Sequence, residues 1–254
     1  MFFETDALVI RTSKTLNNDL FLTLFSKKAG KIDVVANGAK SSKSQLAACS
    51  KPFVFGTFIL NTHNKVMKVS SCEIVDSHFR IADRLDTLAY GNYFIELCNL
   101  ITISNVVDVT HYQLIVEIIS ILASKASKGD DVDIMSFELL RLAYLIKLSV
   151  LTGHSPNLTN RCSSCGKDAE SLYFSVNAGG IVCNHCEKSL YKGYKLNAQM
   201  INLIQYLEVK DVRIIDKTKI HENYIKHLMT IFEAFIEYHN GIKEIKSKSF
   251  FSSI

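Results

Sequence analysis

Four cysteines at a regular spacing constrain this chain more than any other feature. The sequence reads C-S-S-C at 162–165 and C-N-H-C at 183–186, with 17 residues between the two pairs. Two residues between cysteines allow a tight turn to direct both sulfurs toward one ion, about 2.3 Å away. Two such pairs at this distance are typical of a zinc site with four thiolate ligands. The spacing therefore predicts one zinc ion bound by Cys162, Cys165, Cys183 and Cys186.

The predicted zinc ion has a structural role. Four thiolates complete the tetrahedron around the metal, so no position remains for a water molecule or a substrate. Gly166 suits the turn after the first pair, and residues 171–176 can form a strand that Gly179 and Gly180 turn back toward the second pair. We expect the ion to hold the segment at about 158–192 together.

Three other interpretations of the cysteines compete with zinc. A disulfide is disfavoured where thiols stay reduced, and a redox-active pair explains only one of the two C-x-x-C motifs. An iron–sulfur cluster uses the same ligands and stays open as an alternative. His154 and His185 lie nearby in sequence, but the complete set of cysteines predicts that both are surface residues. Cys49, Cys72 and Cys98 are isolated, and we expect small core or surface residues there.

Composition indicates a folded protein outside the membrane. The chain has 254 residues, 48% of them hydrophobic, which is enough for a substantial core in one large domain or in two or three smaller ones. Glu4 and Asp6 interrupt the first residues, so no secretory signal is expected. The most apolar helical stretch, at 88–107, contains Asn92 and Glu96 and falls short of the roughly 20 apolar residues of a membrane span. A cytoplasmic protein is predicted.

The first 80 residues read as short strands joined by tight turns. Residues 31–34 alternate, with Ile32 and Val34 on one face and charged residues on the other, as in a half-buried strand. Further apolar runs lie at 7–11, 20–25, 52–60 and 66–69, and 63–65 suits a turn. About five strands in this length predict a small closed barrel or a sandwich, with no helix of useful length between them.

The apolar pattern changes to helical spacing near residue 81. Helices are predicted around 85–97, 114–122, 133–152, 197–208 and 221–240, with Asp133 as the cap of the third and with Gly153 and Pro156 at its end. The last residues, 242–254, are basic and then aromatic, and they are predicted to form a frayed tail.

Basic residues are concentrated at the start of the chain. Residues 1–80 contain 11 Lys/Arg and 6 Asp/Glu, a net charge of +5, whereas the remainder has 18 and 19, a net charge of −1. The link at 37–44 contains Gly38 and three serines, so we expect an exposed and mobile segment whose lysines can neutralise phosphates. A polyanion partner and a merely solvated basic surface are both compatible with this composition. Five aromatic residues are candidates for base stacking, although most are expected in the core: Phe21, Phe25, Phe53, Phe55 and Phe58.

Motifs of common enzyme classes are absent from the sequence. There is no G-x-x-x-x-G-K-[ST], no G-x-G-x-x-G, no H-E-x-x-H and no G-x-S-x-G. The zinc-deaminase signature is missing as well. Together with the closed cysteine site, these absences predict a protein that is not an enzyme.

The order of several segments resembles the RecO family of bacterial recombination and repair mediators. The resemblance rests on A-L-V-I-R-T at 7–12, D-L-F-L-T-L-F-S-K-K-A-G-K at 19–31, V-A-N-G-A-K-S-S-K-S at 35–44, P-F at 52–53, R-L-D-T-L-A-Y at 84–90, F-E-L-L-R-L at 137–142 and L-T-G-H-S-P at 151–156. It spans most of the chain and is weakest after residue 200.

The resemblance implies an α+β multidomain protein. An N-terminal OB-fold β-barrel at 1–80 would bind DNA, and an α-helical domain at 81–254 would carry the inserted four-cysteine zinc ribbon. The implied partners are single- and double-stranded DNA, RecR, and the acidic C-terminal tail of single-strand DNA-binding protein, which would dock on the helical domain. The implied role is to anneal complementary strands and, with RecR, to help load recombinase onto coated single strands, in the cytoplasm and at the nucleoid.

The predicted DNA-binding residues are the basic residues of the barrel strands and turns: Arg11, Lys14, Lys27, Lys28, Lys31, Lys40, Lys43 and Lys51. Asn37, Ser41 and Ser42 stand where the family often has more basic residues, so a weaker DNA affinity is expected. An RNA-binding OB-fold protein with a structural zinc knuckle is the alternative function. A zinc-dependent enzyme is disfavoured, because four cysteines leave the metal no open position.

Overall fold

The computed structural model describes residues 2–63, 66–127, 133–189, 192–215 and 220–253. The chain forms two compact units. The barrel unit comprises Met1–Val132 and Ile245–Ile254, and the ribbon unit comprises Asp133–Glu244. The predicted domain boundary at residue 80 differs from this division and stays a prediction.

Five strands of the barrel unit close into a barrel, as the short strands predict. They are β1 (Phe2–Lys14), β2 (Leu20–Ser26), β3 (Gly30–Ala36), β4 (Phe55–His63) and β5 (Val66–Asp76), and their neighbours follow the order β1-β2-β3-β5-β4. The strand pairs are antiparallel, except that β3 and β5 meet in parallel. This arrangement is an OB-like barrel. Asn64 and Lys65 of the predicted turn lie outside the described residues.

The first strand is long enough to serve two sides of the barrel. The register of β1 pairs Phe2 to Leu8 with β4 and pairs Ala7 to Lys14 with β2, and it shifts between Val9 and Arg11. An extra residue in one strand bends it and increases its twist. The bulge at Ile10 therefore allows one strand to close the barrel.

Apolar side chains fill the barrel. In β3, Ile32 and Val34 are buried, Asp33 is exposed and Lys31 is half-buried, which confirms the predicted alternation. A short helix, α1 (Leu46–Cys49), lies between β3 and β4 and was not predicted from the sequence. Cys49 of this helix is part of the barrel core.

Two helices follow the barrel within the same unit. A 3₁₀ turn at Phe79–Asp83 leads into α2 (Leu85–Ile101), which packs on β1, and α3 (Val109–Ala126) packs on α2. The segment between the helices lies against the β2–β3 turn, where Gly30 has a φ of +66°. A Cβ atom at Gly30 would come within 1.9 Å of the Val106 carbonyl oxygen, so only glycine fits there.

The end of the chain is ordered, and the predicted frayed tail is wrong. Lys246–Ser253 forms a 3₁₀ helix, Ile245 is buried, and the Phe251 ring lies 4.9 Å from that of Tyr90. The Glu96 carboxylate accepts the backbone N–H groups of Lys246 and Ser247 at 3.0 and 2.8 Å. Apolar packing and an acceptor for the first N–H groups thus fix this segment.

The ribbon unit contains a helical part and a small sheet. Its first helix, α4 (Ile134–Leu151), begins where the Asp133 carboxylate accepts the Met135 N–H, as predicted, and Gly153 with a φ of +80° follows its end. The sheet consists of β6 (Tyr173–Ser175), β7 (Gly180–Val182) and β8 (Tyr194–Lys195), in the order β7-β6-β8. A short helix, α5 (Asn184–Ser189), lies between β7 and β8.

Three further helices complete the unit: α6 (Ala198–Val209), α7 (Val212–Ile215) and α8 (Glu222–His239). Helix α4 packs on all three, and Phe174 of β6 lies 6.0 and 5.7 Å from the rings of Phe232 and Phe235 in α8. Within the described part of the chain, no helix is long and apolar enough to span a bilayer.

Candidate metal centre and nucleic-acid interface

The four predicted cysteines meet at one point of the ribbon unit. Their Sγ atoms all lie within 4.8 Å of one another, and those of Cys165 and Cys183 are 3.8 Å apart. All four thiols are free. Tetrahedral bonds of about 2.3 Å separate two ligand sulfurs by about 3.8 Å. The group could therefore hold one metal ion.

The first cysteine pair lies on a tight turn held by backbone hydrogen bonds. The Cys162 N–H donates to the Lys167 carbonyl at 2.8 Å, and the Gly166 N–H donates to the Cys162 carbonyl at 2.9 Å. Gly166 has a φ of +72°, a conformation that favours glycine, as its predicted place in the turn requires. The turn directs both sulfurs to the same side.

The second pair is brought to the first by the β6–β7 hairpin. Gly179, with a φ of +73°, ends the hairpin turn, and β7 runs directly into Cys183. The Ser163 N–H donates to the Ile181 carbonyl at 2.7 Å, which joins the first turn to β7. Helix α5 then starts beside Cys183 and carries Cys186 on its buried side. The predicted strand and glycine turn thus assemble the site.

The electrostatics of the site favour a bound cation. Burial by itself raises the pKa of the Cys162 thiol. Three backbone N–H groups around its sulfur, those of Cys165, Cys183 and Ser164, outweigh burial and lower that pKa to about 6. Burial and the neighbouring thiols raise the pKa of Cys186. The cluster therefore favours one thiolate but resists several, and a divalent cation would remove this repulsion.

The two nearby histidines lie outside this group of ligands. His185 is exposed on α5. His154 is half-buried, and its ring centroid lies 5.1 Å from that of His239, whose Nε2 is 2.8 Å from the Val176 carbonyl oxygen. The prediction of a surface residue fits His185, whereas His154 packs against a second ring.

Three of the predicted DNA-binding lysines already have hydrogen-bond partners in the barrel unit. The Lys28 Nζ donates to the Glu4 carbonyl at 3.0 Å, and the Lys31 Nζ donates to the Asn99 carbonyl at 2.7 Å. The Lys40 Nζ donates to the carbonyl oxygens of residues 15 and 17, at the β1–β2 turn. These ammonium groups contribute to the fold, and the lysines at 31 and 40 are half-buried.

The other predicted residues have exposed side chains: Arg11, Lys14, Lys27, Lys43 and Lys51. The segment at 37–44 is not the loose link that its composition predicts. The Gly38 N–H donates to the Asp19 carboxylate at 2.7 Å, the Lys40 N–H donates to the Asn18 carbonyl at 3.1 Å, and Ala39 is buried. These bonds hold Gly38 and Lys40 beside the β1–β2 turn.

One end of the outer barrel face is open, and the other end is covered. Phe25 of β2 is buried, with the rings of His111 and Tyr112 at 5.2 and 5.9 Å. Phe21, on the same face of the same strand, is 50% exposed. Cross-strand pairing places Phe21 next to Ser13 and Val35. The open end therefore presents an aromatic ring that a nucleobase could reach.

Cations flank this exposed ring. Val35 pairs with Lys68 of β5, which lies two strands from Phe21 on the outer face, and Arg11 occupies the same face of β1. Of the five candidate aromatic residues, Phe25, Phe53 and Phe58 are buried and Phe55 is half-buried, as expected of core residues. Lys68 is not among the predicted DNA-binding residues. The alternation of apolar and polar residues in a strand does not show which end of its outer face a helix covers.

The chain forms a closed OB-like barrel followed by helices, and four of its cysteines lie at metal-binding distance. These features define the predicted class, a multidomain protein with an OB-like barrel, a helical part and a four-cysteine metal site. The model of the N-terminal domain of recombination protein O matches residues 1–78, and that of its C-terminal domain matches residues 82–249. The chain belongs to the recombination protein O family.

Relatives match along most of the chain. A protein of Alkaliphilus metalliredigens named "DNA repair protein RecO" is 27% identical over 240 residues, 94% of each chain. Proteins with the same name from Clostridium novyi and Bacillus pumilus are 30% and 25% identical, over 81% and 100% of this chain and 76% and 95% of their own length.

Proposed function

We propose that this chain is a DNA repair and recombination mediator that binds single- and double-stranded DNA through the open end of its barrel and anneals complementary strands. The observation that carries the proposal is the exposed Phe21 with cations on both sides, in a chain that belongs to a recombination protein family. Base stacking on an aromatic ring and phosphate neutralisation suffice for annealing, since they align two strands and reduce their repulsion.

The DNA-binding experiment separates stacking from charge. Phe21→Ala should weaken binding of a fluorescent single strand by about 1–3 kcal/mol, whatever the sequence. Arg11→Ala and Lys43→Ala should each reduce the salt dependence of log K by roughly 0.7 for a single strand. Phe79→Ala, which removes an aromatic side chain of 62% exposure from the same unit, and Lys243→Ala are the matched controls. Unchanged affinity of Phe21→Ala at low salt would contradict this position of the interface.

Annealing is the activity that distinguishes a mediator from a passive binder. The protein should accelerate pairing of complementary strands, and Phe21→Ala should reduce the rate more than Phe79→Ala. Competition between DNA and RNA strands of equal sequence tests the alternative, an RNA-binding OB-fold protein. A clear preference for RNA together with absent annealing would favour that alternative.

We propose that the metal is one structural zinc ion. Sulfur distances of 3.8 Å and at most 4.8 Å suit a single ion, whereas a cluster with several iron and sulfide ions would hold its ligands farther apart. Four thiolates leave no position for a reacting water, which supports a role outside catalysis. Metal analysis of purified protein should give about one zinc per chain; a coloured protein with iron would overturn the assignment.

The proposed partners are RecR and the acidic C-terminal tail of single-strand DNA-binding protein, in the bacterial cytoplasm and at the nucleoid. Annealing of coated strands is the test that includes them. We expect annealing with the intact coating protein and loss of it when the coating protein lacks its tail. Equal rates in the two cases would remove the tail from the mechanism.

A further inference from the structure

The turn between β1 and β2 presents an apolar side chain entirely to solvent. Leu16 lies in this turn, at 15–19, and its exposure of 106% is the highest among the large hydrophobic residues that the structure describes. A single exposed leucine on a loose loop would need no explanation. The conformation of the turn therefore decides what Leu16 can do.

Hydrogen bonds hold the turn on both sides of Leu16. The Thr15 hydroxyl donates to the Asp19 carbonyl at 2.8 Å and closes the turn. The Lys40 Nζ donates to the carbonyl oxygens of Thr15 and Asn17, the two residues next to Leu16. An ammonium group thus fixes the backbone before and after the exposed leucine, and the turn presents its side chain at a defined position.

The turn lies at the same end of the barrel as the exposed Phe21. Phe21 pairs with Ser13, and Leu16 follows Ser13 by three residues, so at most about 11 Å of chain separates Leu16 from that pair. Bases of one DNA strand follow each other at about 3.4 Å. A strand with one base on Phe21 can therefore reach Leu16 with a base a few nucleotides away.

The charge around the turn suits a polyanion. Residues 14–20 and 37–44 contain three lysines, at positions 14, 40 and 43, and one acidic residue, Asp19. The Asp19 carboxylate accepts the Gly38 N–H at 2.7 Å. The net positive charge favours a nucleic-acid strand over an acidic surface as the partner of the apolar tip.

We propose that Leu16 is a second base-binding residue of the DNA interface and that Lys40 is the positioning residue that holds it. This inference rests on the proposed function, because it extends the interface at Phe21. The leucine side chain inserts between neighbouring bases of a bound strand, as apolar wedges do, while Phe21 stacks on another base. Lys40 acts through Leu16, since its ammonium group binds two carbonyl oxygens, and not by neutralising a phosphate as predicted.

Fluorescence of 2-aminopurine, placed between adenines in a single strand, tests the insertion because its emission increases when neighbouring bases unstack. Binding of the full chain should increase the emission. Leu16→Ala should lose this increase and weaken binding roughly five- to tenfold, which corresponds to partial burial of one leucine side chain. Leu16→Met, with an apolar side chain of similar size, should retain most of both effects. Leu85→Ala removes a leucine side chain of 62% exposure from the same unit and should change neither.

Salt dependence separates positioning from phosphate binding. Lys40→Met keeps the stem of a half-buried side chain and removes its ammonium group. It should weaken binding about as much as Leu16→Ala, leave the slope of log K against log salt unchanged, and add nothing in a Leu16→Ala background. A slope that falls by roughly 0.7, with additive effects, would make Lys40 a phosphate contact and overturn its positioning role. If Lys40→Met fails to fold by circular dichroism, the variants of the exposed Leu16 still decide the base contact.

Three results would overturn the base contact. If Phe21→Ala weakens binding while Leu16→Ala binds and unstacks the strand normally, Leu16 is not a base contact, although the proposed function stands. If neither substitution weakens binding, the interface lies elsewhere and the proposed position of the site fails as well. If Leu16→Ala keeps binding and emission but slows annealing of coated strands, the turn contacts a protein and not a base.

Discussion

The barrel and the cysteine ribbon are two small β structures of one chain that achieve stability by different means. The barrel encloses a described core cluster of 13 buried residues, 12 of them other than cysteine. The corresponding cluster of the ribbon contains three, and two of these are the candidate ligands Cys162 and Cys186. Apolar burial contributes about 25 cal/mol per Å², so this core contributes more to the stability of the barrel than the small cluster around the cysteines contributes to that of the ribbon.

This difference indicates which part of the chain depends on a metal ion for its stability. Burial of apolar residues stabilises the barrel unit, whereas the thiolate cluster and its ion stabilise the ribbon. The ribbon unit also contains a buried salt-bridge network between α4 and α8, in which Arg141 pairs with Glu138 and Glu233. Removing a metal ligand or a buried charge from the ribbon unit should therefore leave the barrel unit folded. Acid and loss of packing should destabilise the barrel unit through residues of its own.

Loss of a metal ligand should have the largest effect. We expect Cys162→Ser to lose its zinc, because binding of such ions contributes on the order of 10 kcal/mol to the folding of zinc-finger peptides. Metal analysis and hydrogen exchange should show an empty site and an unprotected β6–β7 hairpin. Cys98→Ser should keep the metal. If Cys162→Ser kept its stability but lost annealing outright, the ion would act directly in the function. The assignment of a purely stabilising ion to the ribbon would then be wrong.

Removal of a buried charge should come next. The Arg141 side chain is 7% exposed, and its Nη1 donates to the Glu138 carboxylate at 3.0 Å. Arg141→Ala leaves two acidic groups without their cation and should destabilise the ribbon unit by about 3–5 kcal/mol in urea unfolding. Arg213→Ala, which breaks a surface pair with Asp211, is the control and should cost at most about 1 kcal/mol. Equal effects of the two substitutions would mean that the buried group is not a determinant of stability.

Acid should act on the barrel unit through one histidine. Burial beside Phe25 lowers the pKa of His111 to about 4, and the Asp108 carboxylate opposes this only in part. A folded pKa below the unfolded value of about 6.5 means that this stability is complete above pH 6.5. It declines as pH falls toward 4, by about 3 kcal/mol in total. Urea unfolding at several pH values checks this. The slope should shrink in His111→Gln but not in a variant of the exposed His185, and an unchanged slope in His111→Gln would assign the acid sensitivity elsewhere.

The sequence predicts those features that depend on spacing alone. The four ligands follow from two C-x-x-C motifs, and the alternation at Ile32 and Val34 predicts their burial, because local geometry determines both. The packing of Cys72 against the core that contains Cys49 and the exposure of Phe21 depend on which distant elements meet. Neither spacing nor composition contains that information, so isolated cysteines and core-like phenylalanines gave no signal.

The end of the chain illustrates the same limit and gives the smallest predicted effect. Its basic and then aromatic sequence predicts fraying, yet the Glu96 carboxylate of α2 accepts the N–H groups of Lys246 and Ser247. Glu96→Gln removes the charge and one acceptor oxygen, so the last turn should lose about 1–2 kcal/mol of local stability. Hydrogen exchange at residues 245–253 should accelerate accordingly, whereas Glu244→Gln, at an exposed neighbour, should not change it. Unchanged protection in Glu96→Gln would mean that the packing of Phe251 on Tyr90 holds the segment by itself. The barrel unit would then rely on apolar contacts even at a place where one carboxylate accepts two backbone N–H groups.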